Sequence, residues 1–327
     1  MSEPVRRTRR LRLRSGSVGG SESRSGRGSE SRSGSGSESR SGSGTKKKQR
    51  HHAFPGPNQC HPRLGNTARL GKTEEQYNCL PLSVIEEASR KMGIQGPPDV
   101  VTMAKQLGIK PEDKLTFMKS LPLPEETKAT LAKQWFRPAM PEGWKSDPDM
   151  WLNSDDIRKV MEQYEEAFPH FKFLGPFPID FAAPDPYEGR GKKCMNTEMC
   201  ELNIGKELVH NKTMIGIIYN TDPHYKGGSH WIANFLDIVK KKCYYFDSYG
   251  MKPPKQIYRF MQWLGIQEPK ISLAWNGRRF QYSSTECGMY CMYFLDRMIA
   301  GESFVRFCRR SPPDKFMLDM RDWMFST

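Results

Sequence analysis

The stretch Phe280-Gln281-Tyr282-Ser283-Ser284-Thr285-Glu286-Cys287-Gly288 passes from a polar loop into an apolar run that continues to Ile299. The change of pattern predicts a helix over 288–299 with Cys287 in its first turn, where the positive end of the helix dipole favours a thiolate. Cys291, one turn further on between Tyr290 and Met292, reads instead as a buried structural thiol. Gly288 leaves space beside the sulfur for a substrate backbone. Gln281, six residues before the cysteine, carries a side-chain amide that with the Cys287 N–H would make an oxyanion hole.

Upstream lie the other parts that a cysteine nucleophile needs. His230 follows Gly227-Gly228-Ser229 and precedes Trp231 at the mouth of a predicted strand. Two acids compete to orient it. Asp237 shares that strand and lies roughly 23 Å away at extended rise, out of reach. Asp247 closes the neighbouring run Tyr244-Tyr245-Phe246, where its carboxylate can lie beside the imidazole. His224, in a Pro/Tyr loop, reads as incidental.

The elements around these residues are mixed. Apolar runs predict strands over 214–219, 231–238, 242–246 and 271–275. Helical spacing predicts a helix over 256–264, and Ser154-Asp155-Asp156-Ile157 followed by Val160, Met161 and Tyr164 reads as a capped helix. Before them, residues 76–143 carry short helical patterns: Leu82, Ile85, Ala88, Met92, then Val100, Met103, Ala104, Leu107, with Gly93 and Gly108 as stops. The expected organisation is a basic tail over 1–50, a helical arm over 51–143 and an α+β catalytic domain over 144–327.

The formal net charge of +14 is concentrated in that tail, which holds 14 Lys/Arg against four Glu. There Ser-Glu-Ser-Arg-Ser-Gly-Arg/Ser-Gly recurs at 21–28, 29–36 and 37–44. With nothing apolar to bury, the repeats are expected to be disordered. Contact with nucleic-acid phosphates, a nuclear import signal and a merely solubilising role are all open. No stretch approaches the length of a transmembrane helix and no signal-peptide core opens the chain, so membrane insertion and secretion are not expected. The eight cysteines lack a framework spacing, which predicts reduced thiols. Neither Cys60-His61…Cys79 nor Cys194…Cys200 has the close pairing of a zinc site, so no metal or other cofactor is expected.

The set Trp151-Leu152-Asn153-Ser154-Asp155-Asp156-Ile157, Ser229-His230-Trp231, Tyr245-Phe246-Asp247-Ser248 and Gln281…Cys287-Gly288-Met289-Tyr290-Cys291 resembles the cysteine proteases of the SUMO/sentrin-protease and adenovirus-protease superfamily. Asn78-Cys79-Leu80-Pro81 and the run from Ile217 to His224 are similar to maturation proteases of large nucleocytoplasmic DNA viruses, mimivirus-like and African-swine-fever-virus-like. The resemblance implies a papain-like, sentrin-protease-like core in which His230 deprotonates Cys287, Asp247 orients His230 and Gln281 stabilises the oxyanion. It implies cleavage after small residues, at Gly-Gly-X or Ala-Gly-X sites, with Trp231 and Trp151 walling a narrow slot. It further implies viral structural or core polyproteins as substrates and a place in the virion and the cytoplasmic viral factory. The repeat tail has no counterpart in these proteases, and that it holds the protease on packaged DNA is an expectation from its basic charge alone. A SUMO- or ubiquitin-like-protein isopeptidase shares the same core. An acetyltransferase and a packaging protein with a vestigial site are the more distant readings.

Overall fold

The computed structural model describes residues 60–63, 78–186 and 193–327. The basic repeat tail lies outside the described residues. Four helices come first: α1 (Leu82–Lys91), α2 (Val100–Leu107), α3 (Lys114–Ser120) and α4 (Glu125–Trp135). They enclose a core of their own that includes Ile85, Ala88, Met103, Phe117, Met118 and Phe136. Gly108 closes α2 in the left-handed conformation at φ 70°, as its position predicts, with no Cβ to oppose it. Leu82 departs from expectation: it opens α1 but stays about half exposed, while Leu80 just before it is buried in the helical core.

The remainder is a five-stranded sheet in sequence order: β1 (Phe171–Pro178), β2 (Met214–Asn220), β3 (Trp231–Asp237), β4 (Lys242–Phe246) and β5 (Ser272–Trp275). The outer pairs, β1·β2 and β4·β5, are parallel, and the inner pairs are antiparallel. On one face lie α5 (Ser154–Ala167) and α9 (Cys287–Ile299), whose side chains share a core with Trp231, Ala233 and Phe235 of β3. The other face carries Ile232, Leu236 and Tyr245 against α8 (Lys255–Gln267) and the short α6 (Thr197–Cys200) and α7 (Ile204–Val209). Every residue of β3 is buried, as its central place demands. The chain ends with α10 (Phe304–Arg309) and α11 (Asp314–Met324), after which Ser326 bonds Pro138 and Met140 and the Thr327 carbonyl accepts from Leu115 at the start of α3.

The expected capped helix at Ser154 is present: Asn153 is its cap, its side chain accepting from Asp155 and Asp156 while Asp156 returns a bond to the Asn153 N–H. Two points of the sequence reading are corrected. It predicts no strand where β1 lies, a stretch interrupted by Gly175, Pro176 and Pro178. The strand absorbs them in an irregularity between Leu174 and Phe177, with Gly175 at φ 108° so close to the Ile218 carbonyl that no side chain fits. The cysteines are not all reduced: Cys60 is disulfide-bonded to Cys79 and Cys194 to Cys200, leaving Cys243, Cys287, Cys291 and Cys308 free. Pairing follows Cα separations of 5.5 and 6.5 Å in space, which sequence spacing does not report. Among the described residues no helix is long and apolar enough to cross a membrane.

Candidate active site

The register of the central strands assembles the site. Ala233 pairs with Phe246, so the residue before β3 and the residue after β4 emerge at the same end of the sheet. There His230 Nε2 meets Asp247 Oδ1 at 2.9 Å. With Nε2 committed to the carboxylate, Nδ1 is the ring nitrogen left for Cys287, which is the first residue of α9 and packs over β3. The loop before His230 is held by Asn220, which ends β2: its Oδ1 accepts from the backbone of Asp222 and Ser229, and it lies against Gly228, where φ is 84° and a Cβ would collide with it.

Burial opposes a charge on His230, but the Asp247 hydrogen bond and then the Cys287 sulfur outweigh it, and the imidazole pKa is pushed up to about 9. Asp247 is buried and multiply held. Its Oδ1 also accepts the Tyr249 N–H at 2.7 Å, and the Tyr245 hydroxyl donates to Oδ2 at 3.5 Å. Buried Asn276, just past β5, grips the Asp247 backbone at both ends, accepting from its N–H at 3.0 Å and donating to its carbonyl at 2.7 Å. The Tyr249 ring stacks on His230 at 4.6 Å. The thiols of Cys291 and Cys243 are driven up by burial, the latter to about 12.

Gln281 is buried against Ser248, the residue after Asp247, rather than set beside open solvent. Its Oε1 accepts the Ser248 hydroxyl at 2.6 Å and its Nε2 donates to the Ser283 carbonyl at 3.0 Å. Glu286, the residue before Cys287 and the N-cap of α9, is buried with Arg321 of α11. Arg321 also donates to the carbonyls of Pro148 and Met150 and lies over the Trp144 ring.

A cleft of about 440 Å³ runs to Trp231, with Trp151, Leu152, Pro176, Asp222 and Lys226 among its walls. Trp231 Nε1 donates to the Leu152 carbonyl at 3.1 Å. At Gly288 a Cβ would come within 3.1 Å of Leu152 and 3.3 Å of Trp231, so the space beside the sulfur is glycine-tight. Trp151 stands at the rim, and Leu152 is the nearer wall. The cavity of about 450 Å³ lined by Phe181, Met199, Phe260 and Trp263 contains none of these residues. His224, read as incidental, is paired with Asp180 at 2.7 Å and lines the cleft.

The structure therefore brings His230, Asp247 and Cys287 together, seats Gln281 against Ser248, and places Trp231 and Gly288 side by side. Sequence reading missed Asn276, Ser248, Glu286 and Arg321. Only Glu286, adjacent to the cysteine, carried a local signal, because an acid at a helix start invites the question of what holds it.

A cysteine at the start of a buried helix, packed on the strand that presents a histidine to an aspartate, is the core of a papain-like cysteine protease. Residues 206–307 match the adenovirus endoprotease family. The chain is 34% identical over 162 residues to a thiol protease of Acanthamoeba polyphaga mimivirus, across 47% of this chain and 49% of that one. It is 31% identical over 190 residues to a SUMO-1 cysteine protease of African swine fever virus, across 53% of this chain and 67% of that one. The crystal structure of the African swine fever virus protease shares the fold, with a TM-score of 0.54 at 19% identity, over 83% of this chain and 97% of that one. The chain belongs to this family of viral SUMO-protease-like cysteine proteases. It spans about half the length of the mimivirus relative and about two thirds of the African swine fever virus relative.

Proposed function

We propose that the chain is a thiol endopeptidase that cleaves after small residues, at Gly-Gly-X or Ala-Gly-X sites, in viral structural or core polyproteins. The observation that carries the reading is the buried His230–Asp247 pair beside a helix-borne cysteine whose neighbour, Gly288, is packed closely against Leu152 and Trp231. In this mechanism His230 takes the Cys287 proton. The sulfur adds to the substrate carbonyl carbon and the carbonyl electron pair moves onto oxygen, where Gln281 and the Cys287 N–H receive it. His230 then gives its proton to the departing amine as the C–N bond breaks, leaving a thioester. Water, deprotonated by His230, displaces the thiolate and releases the acid.

Glycine preference has a steric cause in this reading, since the substrate backbone would enter the cleft walled by Trp231 and Trp151. The cleft of about 440 Å³ would seat the residues preceding the bond. The basic tail would hold the enzyme on DNA in the virion and the viral factory. The isopeptidase reading is supported by the SUMO-1 name of the African swine fever virus relative.

Purified protein and its Cys287→Ala variant, incubated with Gly-Gly-X and Ala-Gly-X peptides and with SUMO and ubiquitin fusions, separate the two. Peptide cleavage by the unmodified protein alone supports polyprotein processing. Cleavage confined to the folded fusions moves the reading to deconjugation, and inactivity on all of them, with and without DNA, defeats both. Deleting residues 1–50 is expected to leave peptide cleavage intact and to weaken DNA retention and its salt dependence.

A further inference from the structure

A side-chain amide has no fixed sense of its own: rotated by half a turn, it presents a carbonyl oxygen where a donor stood. Gln281 is placed so that only one sense is allowed. The Ser283 carbonyl can only accept, so the atom facing it at 3.0 Å is Nε2, and the opposite atom, Oε1, takes the Ser248 hydroxyl at 2.6 Å. The same serine fixes the backbone beneath the amide, because its carbonyl accepts from both the Phe280 and Gln281 N–H groups at 2.7 and 2.9 Å. Ser248 and Gln281 are wholly buried, so water does not replace these bonds. Ser248 is also the next residue after Asp247, and one short segment therefore holds both the partner of His230 and the amide.

We propose that Ser248 is a positioning residue of the oxyanion hole: the Ser283 carbonyl sets the sense of the Gln281 amide, the Ser248 hydroxyl anchors its Oε1 before substrate arrives, and the Ser248 main chain keeps that amide in register with Asp247. This rests on the reading of Gln281 as the oxyanion donor. One Nε2 hydrogen is held by Ser283 and the other remains for the developing oxyanion. Without the hydroxyl, Oε1 is a buried acceptor with no donor, and the amide, still opposed in its rotated sense by the Ser283 carbonyl, is no longer anchored where the oxyanion develops.

The test is a two-by-two cycle of Ser248→Ala and Gln281→Ala in the full chain, read by peptide cleavage and by iodoacetamide alkylation of Cys287. Alkylation needs the Cys287–His230 pair but no oxyanion hole, so it reports whether the site is still assembled. Ser248→Ala is expected to lower kcat by roughly 10–100-fold, less than outright loss of a donor, with KM within about twofold and an unchanged alkylation pH profile. In the Gln281→Ala background it should cost nothing further, and Ser248→Thr, which keeps a hydroxyl, should recover most of kcat. If Thr does not fit the buried site and the protein fails to fold, the cycle alone decides. The proposal is overturned if Ser248→Ala cleaves like the unmodified protein, if alkylation falls in step with kcat, or if the two losses multiply. Absence of cleavage by the unmodified protein strikes the proposed activity instead.

Discussion

Arg321→Met removes the cation that accompanies the carboxylate next to the nucleophile. In the folded protein the guanidinium donates through Nε to Glu286 Oε2 at 3.0 Å and through Nη2 to Oε1 at 2.5 Å, and Nη1 reaches the Pro148 and Met150 carbonyls at 2.6 and 3.1 Å. Its side chain is 5% exposed and that of Glu286 only 1%. Each charge-assisted bond is worth about 1.5–3 kcal/mol, but desolvation of the pair offsets much of that total. What decides the outcome is the carboxylate left behind, and stranding one member of a buried pair typically costs about 3–5 kcal/mol. The single variant should lose that much in urea unfolding followed by tryptophan fluorescence with disulfides intact. Glu286→Gln strands the guanidinium instead, but Arg321 keeps an amide acceptor, the Pro148 and Met150 carbonyls and the Trp144 ring, so its loss should fall at the lower end of that range, about 3 kcal/mol. The double variant buries no charge and should be more stable than the two losses added together, by roughly 2 kcal/mol of coupling. Because Arg321 ties the N-cap of α9 to the segment carrying Trp151 and Leu152, Cys287 alkylation should also slow in the single variant. A loss below 1 kcal/mol for Arg321→Met, or strict additivity in the cycle, would refute the reasoning.

The remaining expectations concern charge and access at the site. The His230 pKa of about 9 lies above its unfolded value, so the charged imidazole stabilises the fold below about pH 6.5 and that contribution is lost as pH rises through about 9. Cleavage should decline over the same upper range, and in Asp247→Asn the alkaline limb of Cys287 alkylation should move to lower pH. A limb that stays put would remove Asp247 as the partner. Burial raises the other free thiols, Cys243 to about 12, Cys308 to about 11 and Cys291 well above its ordinary value, so mass spectrometry after brief iodoacetamide treatment near neutral pH should find Cys287 alone modified. Gly288→Ala adds a carbon 3.1 Å from Leu152 and should cut kcat/KM on Gly-Gly-X peptides by about tenfold through overpacking, with a fall in stability of about 1–3 kcal/mol read from the unfolding midpoint.

Much of this was legible in the chain itself. Cys287 could be read as the candidate nucleophile ahead of Cys291 because a polar loop gives way to an apolar helix at that residue, and periodicity is a local property. Strands β2, β3 and β4 announced themselves as short apolar runs, and their order placed His230 and Asp247 at neighbouring strand ends. The choice of Asp247 over Asp237 needed only the rise of an extended strand, and Asp237 in fact pairs with Lys240.

What the tertiary structure alone decided is everything fixed by contacts between distant segments. Strand β1 exists because β2 offers it an edge, overriding the prolines that mark it as a loop. Cys60 meets Cys79, and Cys194 meets Cys200, because packing brings their Cα atoms into disulfide range. Asn276 reaches Asp247 across 29 positions, Ser248 reaches Gln281 across 33 and Arg321 reaches Glu286 across 35. None of these supporting residues has a pattern of its own, since an asparagine, a serine or an arginine in isolation is usually a surface group. The reactive residues were readable because their chemistry is local, whereas the groups that hold them in place acquire meaning only when the chain folds back on itself.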